Sequence, residues 1–391
     1  MLLRNSLWLY FFQGTNYLSP LIIYPLLLSI TNPYDFGIVA VILSVSQFYI
    51  VLIDFGASTT GVERAVKATE NLKHKIIKNV QSLKLLIILF SVVLFLIILS
   101  HLDAGRPLLY YSALGCITQS LFPIWIFHSQ RDLSYITKIN AINKLLLLMA
   151  TYFLVDDIVD FIKIWSILNS LSLILYSLIV RMRWSFNVFT FSYKSAKEEY
   201  FSSWRFASAK TATSIYTSLG AAFVGMYDLV GAGAFMMADQ LYRAGQSIYN
   251  PFFQAAYPIY VKSKNLCGYL KKIKIFGCIV FCICFLLFVF SQNLIQLFYG
   301  SNLIASQVLQ VFSLVLFVNY VGVSYGYNIF GIIGKLHLVN KTVLLGSLFF
   351  CVIAFFLIVL GGFSAFNTVI AILFTEVLVA IYRIILFRKE N

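Results

Sequence analysis

One stretch of the chain, residues 231–258, carries polar side chains spaced by four, three, four and four residues. Successive residues of a helix are about 100° apart, so side chains with this spacing share one helix face. An acid four residues before an arginine can form an ion pair, and amides can hydrogen bond to a bound molecule. Lipid cannot neighbour such a face, so the pattern predicts a polar cavity or an ion pair that serves insertion alone. The residues are Asp239, Arg243, Gln246, Asn250 and Gln254.

A second polar stripe lies in the first apolar run, residues 7–30. Gln13, Asn16 and Tyr17 begin it, and further members one and two turns later continue the same helix face. Asn and Gln commonly hydrogen bond between membrane helices, which is one interpretation of the stripe. Its extent along the run equally favours the lining of a cavity, and both interpretations stay open.

Isolated charges inside other apolar runs are candidates for the same cavity. Lys210 lies about eight residues, or ~12 Å, inside the run 202–226. Arg205 lies closer to the end of this run, where its side chain is expected to reach the membrane surface. We therefore predict Lys210 as a second cavity cation beside Arg243.

Two further acids lie within apolar runs. Glu376 is the only acid in the last run and, with Asp239, is a candidate for carrying a coupling ion. The alternative is that Glu376 pairs with a neighbouring helix. Asp54, near the end of the second run, is expected to pair with a loop base such as Arg64.

The amino-acid composition indicates which kind of secondary structure carries these polar residues. The 391-residue chain is 60% hydrophobic, 17% aromatic and 11% charged, against about 25% charged in soluble domains. These values exclude a soluble enzyme, a nucleic-acid-binding protein and a disordered chain. A membrane-spanning helix takes about 20 residues. We predict an all-α polytopic membrane protein with twelve spans, at residues 7–30, 36–59, 83–100, 107–129, 145–162, 164–180, 202–226, 231–258, 275–295, 306–333, 341–362 and 364–386.

The basic residues predict the orientation of these spans. The net charge is +14, and most of the 29 Lys and Arg residues fall in alternate loops or at the chain ends. Lys and Arg accumulate on the cytoplasmic side of membrane proteins. Loops containing Arg64, Arg183 and Lys272 are therefore expected in the cytoplasm together with both termini, and the loop containing Asp157 outside.

The long hydrophilic stretch 181–201 divides the predicted spans into two sets of six. The halves also resemble each other weakly where their second spans begin, at residues 34–37 and 228–231. Six-span repeats are typical of transporters whose halves move about a central site. We predict two six-helix bundles, residues 1–190 and 191–391.

Several segments resemble the Wzx-type polysaccharide flippases of the multidrug/oligosaccharidyl-lipid/polysaccharide superfamily. The first 60 residues carry most of the resemblance, and residues 205–260 carry the rest. The matching motifs are Phe12-Gln13-Gly14-Thr15-Asn16-Tyr17-Leu18-Ser19-Pro20-Leu21, Asp35-Phe36-Gly37, Ser46-Gln47-Phe48, Asp54-Phe55-Gly56 and, later, Gly231, Ala234, Ala238, Asp239 and Gln240.

The resemblance implies a bacterial inner-membrane protein with two six-helix bundles that form a V. It implies alternating access that carries an undecaprenyl-pyrophosphate-linked oligosaccharide, such as an O-antigen repeat unit of lipopolysaccharide, from the cytoplasmic to the periplasmic face. Arg243 and Lys210 would then bind the pyrophosphate, and amides and tyrosines the sugar. A proton or sodium counter-ion is a further implication, as are membrane lipid, a polysaccharide polymerase and a chain-length regulator as partners.

Two other membrane functions agree less well with the sequence. A multidrug exporter of the same superfamily would hold cationic drugs with acidic groups, whereas the predicted cavity is neutral to positive. A polysaccharide polymerase would carry a large periplasmic loop, and no predicted outside loop exceeds about a dozen residues. With no soluble catalytic module, no phosphate-binding loop and scattered Cys and His, we expect no enzyme, cofactor, metal or nucleic-acid partner.

Overall fold

The computed structural model describes the backbone of residues 2–100, 105–130 and 132–390. It describes their side chains except those of residues 2–7, 9, 10, 255 and 258. All regular structure in these ranges is helical. The prediction of an all-α protein is therefore confirmed.

The chain forms two compact units, Met1–Ser214 and Ile215–Asn391. The boundary lies inside the last helix of the first unit, later than the hydrophilic stretch at 181–201. The helices that begin in the first unit are α1 (Leu2–Ile30), α2 (Pro33–Asp54), α3 (Val62–Lys67), α4 (Glu70–Ser100), α5 (Arg106–Ser120), α6 (Ile124–Ser129), α7 (Ser134–Phe153), α8 (Ile158–Trp184) and α9 (Tyr193–Ser218).

The second unit continues from the end of α9. A buried aromatic cluster that includes Tyr249, Phe253 and Tyr320 forms part of its core. Its helices are α10 (Gly220–Gly225), α11 (Leu229–Ser263), α12 (Leu266–Val289), α13 (Ser291–Tyr299), α14 (Leu303–Val323), α15 (Ile329–Ile332), α16 (Leu336–Val359) and α17 (Ala365–Glu390).

Short polar side chains fix where the long helices begin. The Asn32 side chain accepts a hydrogen bond from the Asp35 amide at 2.8 Å and caps α2. Asp228 accepts one from the Gly231 amide at 2.9 Å and caps α11. Such caps satisfy amides that have no partner within the helix. The two segments that resemble each other in sequence thus both begin a long helix.

Within the residues that the structure describes, seven helices are long and apolar enough to cross a membrane, judged by length and composition. Large apolar side chains such as Phe90 and Phe355 are exposed along them, as expected where lipid is the solvent. The chain is a multi-pass membrane protein; the total of twelve spans stays a prediction. The seven are α2, α4, α8, α12, α14 with its continuation to Ile332, α16 and α17.

The fifth predicted span, 145–162, is wrong in its limits. Helix α7 already begins at Ser134 and ends at Phe153, and α8 begins at Ile158. Asp157 caps α8 by accepting from the Asp160 amide at 2.8 Å. The turn contains Asp156 and Asp157, so the predicted span should have ended before these acids.

Each unit contains one helix that is interrupted by a π-helical segment. In the first unit α2 ends at Asp54, the left-handed residues Phe55 (φ 44°) and Gly56 (φ 78°) follow, and Ala57–Gly61 is π-helical. Glycine adopts this backbone at no steric cost, whereas phenylalanine is strained there. In the second unit the segment Ser324–Asn328 separates α14 from α15.

Candidate functional site

The break after α2 creates a charged cluster in the first unit. The Asp54 carboxylate accepts hydrogen bonds from Lys210 Nζ at 2.9 Å and from Ser58 Oγ at 2.7 Å, and Lys84 Nζ lies 3.6 Å away. Lys210 also donates to Ser58 Oγ at 2.7 Å. Ser58 lies in the π-helical segment, and its backbone amide also donates to the Asp54 carboxylate at 3.3 Å. We name Asp54, Ser58, Lys84 and Lys210 the aspartate cluster.

The aspartate cluster carries one unit of excess positive charge, because two lysines face one carboxylate. The side chain of Lys84 is 3% exposed and that of Asp54 is 15% exposed, whereas 39% of the Lys210 side chain is exposed. Asp54 is thus held between a buried lysine at 3.6 Å and a closer, more exposed lysine at 2.9 Å.

The expectation that Asp54 pairs with Arg64 is wrong. Arg64 instead forms an ion pair with Glu199, whose side chain is buried on α9, and donates to the Thr60 carbonyl at 3.2 Å. Arg64 lies beyond the π-helical segment and cannot remain beside the end of α2. Lys84 and Lys210 approach Asp54 from other helices, and sequence spacing carries no signal for such pairs.

The polar stripe of α1 takes part in packing between helices. Asn140 on α7 donates to Thr15 Oγ1 at 2.9 Å and to Asn16 Oδ1 at 3.2 Å. Gln13 and Tyr17 are partly buried on the same helix. Asn16 thus forms the interhelical contact that one interpretation of the stripe expected, while the cavity role of this stripe stays a prediction.

Sequence reasoning did not identify Lys144, a further cation within a long helix of the first unit. It lies one turn after Asn140, in the middle of α7, and is partly buried. No acid forms an ion pair with it among the residues that the structure describes. The predicted span began at residue 145 and so left Lys144 in a loop. A signal for Lys144 was present in the sequence, because Asn140, Asn143 and Lys144 have the spacing of one helix face.

In the second unit, α11 holds the predicted ion pair. Arg243 Nε donates to Asp239 Oδ2 at 2.6 Å, and Arg243 Nη2 donates to the Thr217 carbonyl at 2.8 Å. The side chains of Arg243 and Asp239 are 33% and 19% exposed. The pair is therefore formed, and part of the guanidinium still lies at a surface.

The amides that follow on α11 separate into two groups. Gln246 donates to Tyr242 Oη at 2.7 Å and to Asn319 Oδ1 at 3.3 Å, and Tyr249 donates to the same Asn319 oxygen at 2.7 Å. These side chains join α11 to α14. Asn250 is partly buried and Gln254 is exposed, so the C-terminal end of the stripe is the more accessible one.

Glu376 lies in a buried network of the second unit. Tyr216 and Asn319 hydrogen bond to its carboxylate, and Arg383, two turns further along α17, attracts it electrostatically. Arg383 is buried and donates to the Gly322 carbonyl at 2.7 Å and to Thr342 Oγ1 at 3.0 Å. Sequence reasoning missed Arg383, because its position near the end of the last run looks like that of a surface residue.

Comparisons with known proteins give a consistent result. The sequence model of a family described as "Polysaccharide biosynthesis protein" matches residues 2–264. A protein of Shigella dysenteriae named "Putative O-antigen transporter" is 27% identical over 97% of this chain and 98% of its own length. A protein of Escherichia coli K12 with the same name is 24% identical over 65% of this chain and 64% of its own length.

Two solved structures share the fold. The lipid II flippase MurJ in an inward closed conformation has a TM-score of 0.76 and 13% identity, covering 99% of this chain and 87% of its own. An inward-facing multidrug resistance transporter of the MATE family has a TM-score of 0.71 and 14% identity, covering 96% of this chain and 94% of its own.

Proposed function

Since the chain belongs to the polysaccharide biosynthesis protein family, we propose that it is a flippase for a lipid-linked oligosaccharide. The substrate is an undecaprenyl-pyrophosphate-linked repeat unit, which the protein carries from the cytoplasmic to the periplasmic face of the bacterial inner membrane by alternating access. The names of the two relatives support transport of an O-antigen unit.

The excess positive charge of the aspartate cluster is the observation that carries this proposal. A charge inside a membrane is costly and needs a counter-charge. Asp54 can neutralise only one of its two lysines, and the partly exposed ammonium of Lys210 is the one that an anion would reach. The pyrophosphate of the substrate supplies that anion. A cationic drug would meet repulsion here, which disfavours the multidrug exporter.

In the second unit, Arg243 is proposed to bind the same pyrophosphate or an acidic sugar, since it is partly exposed despite its pair with Asp239. The accessible amides Asn250 and Gln254 would hydrogen bond to sugar hydroxyls. Glu376 or Asp239 would carry the coupling proton or sodium ion. A polymerase and a chain-length regulator are proposed to act on the exported unit.

A decisive experiment removes the charge of Lys210. In a strain that lacks the native protein, Lys210→Ala should lower surface polysaccharide about tenfold or more, the value of a charge-assisted contact. Lys210→Arg should keep part of the export. The variant leaves Asp54 paired with Lys84, so its fold is preserved.

The matched control is Lys78→Ala, which removes an exposed lysine of α4 in the same unit. Export should then remain at the wild-type level. Normal surface polysaccharide from Lys210→Ala, at normal membrane abundance, would show that Lys210 does not bind the substrate.

The proposed topology has twelve spans in two six-helix bundles, residues 1–190 and 191–391, with both termini in the cytoplasm. Reporter fusions at Arg183 and Lys272 should be active as cytoplasmic reporters. A fusion at Asp157 should be active as a periplasmic one. A periplasmic result at Arg183 contradicts the division into two sets of six.

A further inference from the structure

An apolar groove runs along the outside of the second unit, between α12 and α14. Its volume is about 440 Å³, within the range of about 300–1,000 Å³ that small-molecule sites occupy. Residues 273–282 of α12 form one wall, and residues 317–325 of α14 and the following π-helical segment form the other. None of its lining residues belongs to the substrate-binding set described above.

Specific contacts hold the two walls in place. Tyr320 Oη donates to the Ile273 carbonyl at 2.5 Å, and the rings of Phe281 and Phe317 lie 5.6 Å apart, edge to face. A Cβ atom at Gly277 would lie 3.3 Å from the Tyr320 ring, so glycine permits this close approach. The groove is therefore built into the helix packing and does not depend on a bound molecule.

The length of the groove corresponds to half of a membrane. Lys274 lies at one end and Cys282 near the other, which is about 12 Å along α12 at 1.5 Å per residue. The hydrocarbon core of a bilayer is about 30 Å thick, so one leaflet contributes about 15 Å. A single lipid chain that belongs to one leaflet fits this span.

The charge of the groove is confined to one end. Lys274 is exposed, and the exposed Lys271 lies one turn earlier on the same helix. Helix α12 contains no acid, and Lys274 has no ion pair within the described part of the chain. An ammonium group beside an apolar groove matches a lipid whose phosphate lies at the membrane surface.

We propose that this groove binds an anionic phospholipid of the surrounding membrane. One acyl chain lies between α12 and α14, and the phosphate contacts Lys274. The chain also packs against Ser324 and Tyr325, so the bound lipid supports the π-helical segment after α14. The leaflet-length groove favours a phospholipid over the long isoprenoid of the transported substrate, and the proposal holds whichever polysaccharide is carried.

Photo-crosslinking tests the site on the purified full-length protein. The probes are phosphatidylglycerol and phosphatidylcholine, each with a diazirine on one acyl chain, and adducts are located by peptide mass spectrometry. Phosphatidylglycerol should label residues 273–282 and 317–325. Lys274→Gln should lower this labelling about fivefold, as expected for one basic residue at a membrane surface.

Two matched controls define the result. Lys262→Gln removes an exposed lysine of the same unit outside the groove and should leave labelling unchanged. Cys282→Trp fills the groove and should abolish labelling, whereas Cys351→Trp, on an exposed face of α16, should not. Gel filtration of each variant checks that it is folded.

Three outcomes would overturn the proposal. Equal labelling by the two probes at the groove, with no effect of Lys274→Gln, means that the site has no preference for anions. Absence of groove adducts means that no lipid occupies it. Displacement of the probe by undecaprenyl phosphate but not by unlabelled phosphatidylglycerol assigns the groove to the substrate's isoprenoid chain instead.

Discussion

The two units differ in the balance of their buried charges. In the first unit Asp54 faces two lysines, and Lys144 has no ion pair among the described residues. In the second unit Asp239 is paired with Arg243, and Glu376 lies close enough to Arg383 for electrostatic attraction. An excess of cations favours an anionic ligand, whereas equal numbers of acids and bases can pair with one another and stabilise the helix packing without a ligand. The first unit is therefore the stronger candidate for the initial contact with pyrophosphate.

The type of cation differs as well. Arg243 and Arg383 each donate to a backbone carbonyl in addition to a side chain, so their guanidinium groups are fixed in place. A lysine ammonium sits on a flexible stem and can exchange partners. Lys210 can thus leave Asp54 for a ligand while Lys84 keeps the carboxylate neutralised. The arginines of the second unit are thus held by a backbone contact, whereas Lys210 is held by side chains alone.

The largest effect is expected from breaking the network around Arg383. Arg383→Met removes the donor to Gly322 and the attraction to Glu376, and should lower the free energy of unfolding by about 3 kcal/mol. The double variant Arg383→Met with Glu376→Gln should regain part of this loss, because it removes both charges. Thermal unfolding of the detergent-purified protein measures both.

The matched control for this prediction is Arg388→Met, at an exposed position of the same helix, which should unfold like the wild type. If Arg383→Met proves as stable as the control, the second unit does not depend on its balanced charges. The two units would then differ in their net buried charge but not in how far their stability depends on it.

An intermediate effect is expected at Arg243. Arg243→Ala should reduce surface polysaccharide about tenfold or more, the value of one charge-assisted contact, and Arg243→Lys should retain part of it. If the arginine serves only to neutralise Asp239, the double variant Asp239→Asn with Arg243→Gln should export normally. Full export by that double variant at wild-type abundance would exclude a binding role.

The smallest effect on stability is expected from Glu376→Gln, because the amide keeps hydrogen-bonding groups for Tyr216 and Asn319. If Glu376 carries a coupling proton, the amide variant should still reach the membrane but lose the pH dependence of export. Transport into proteoliposomes under imposed pH gradients measures this. An unchanged pH profile together with lower stability would make Glu376 a packing partner of Arg383, Tyr216 and Asn319 only.

Sequence reasoning succeeded where the relevant interactions are local. The pair Asp239–Arg243 follows from a spacing of four on one helix, and the all-α membrane fold follows from hydropathy. It failed for Asp54, whose true partners lie on α4 and α9, because pairs between helices leave no periodic signal. Lys144 and Arg383 were missed for another reason: apolar runs place span limits poorly, and both residues looked like surface cations.

The aspartate cluster also has a consequence for the order in which the protein is made. Asp54 and Lys84 lie on spans that enter the membrane one after the other, so they can neutralise each other early in synthesis. A lone charge at the centre of an inserting helix costs about 2.5–3.5 kcal/mol, and an early pair with Asp54 reduces that cost for Lys84, which lies near the middle of α4. Lys210 follows Asp54 by 156 residues and reaches a carboxylate that already has a partner. The ribosome thus delivers Lys210, the charge that we propose contacts the substrate, after Asp54 and Lys84 are already in place.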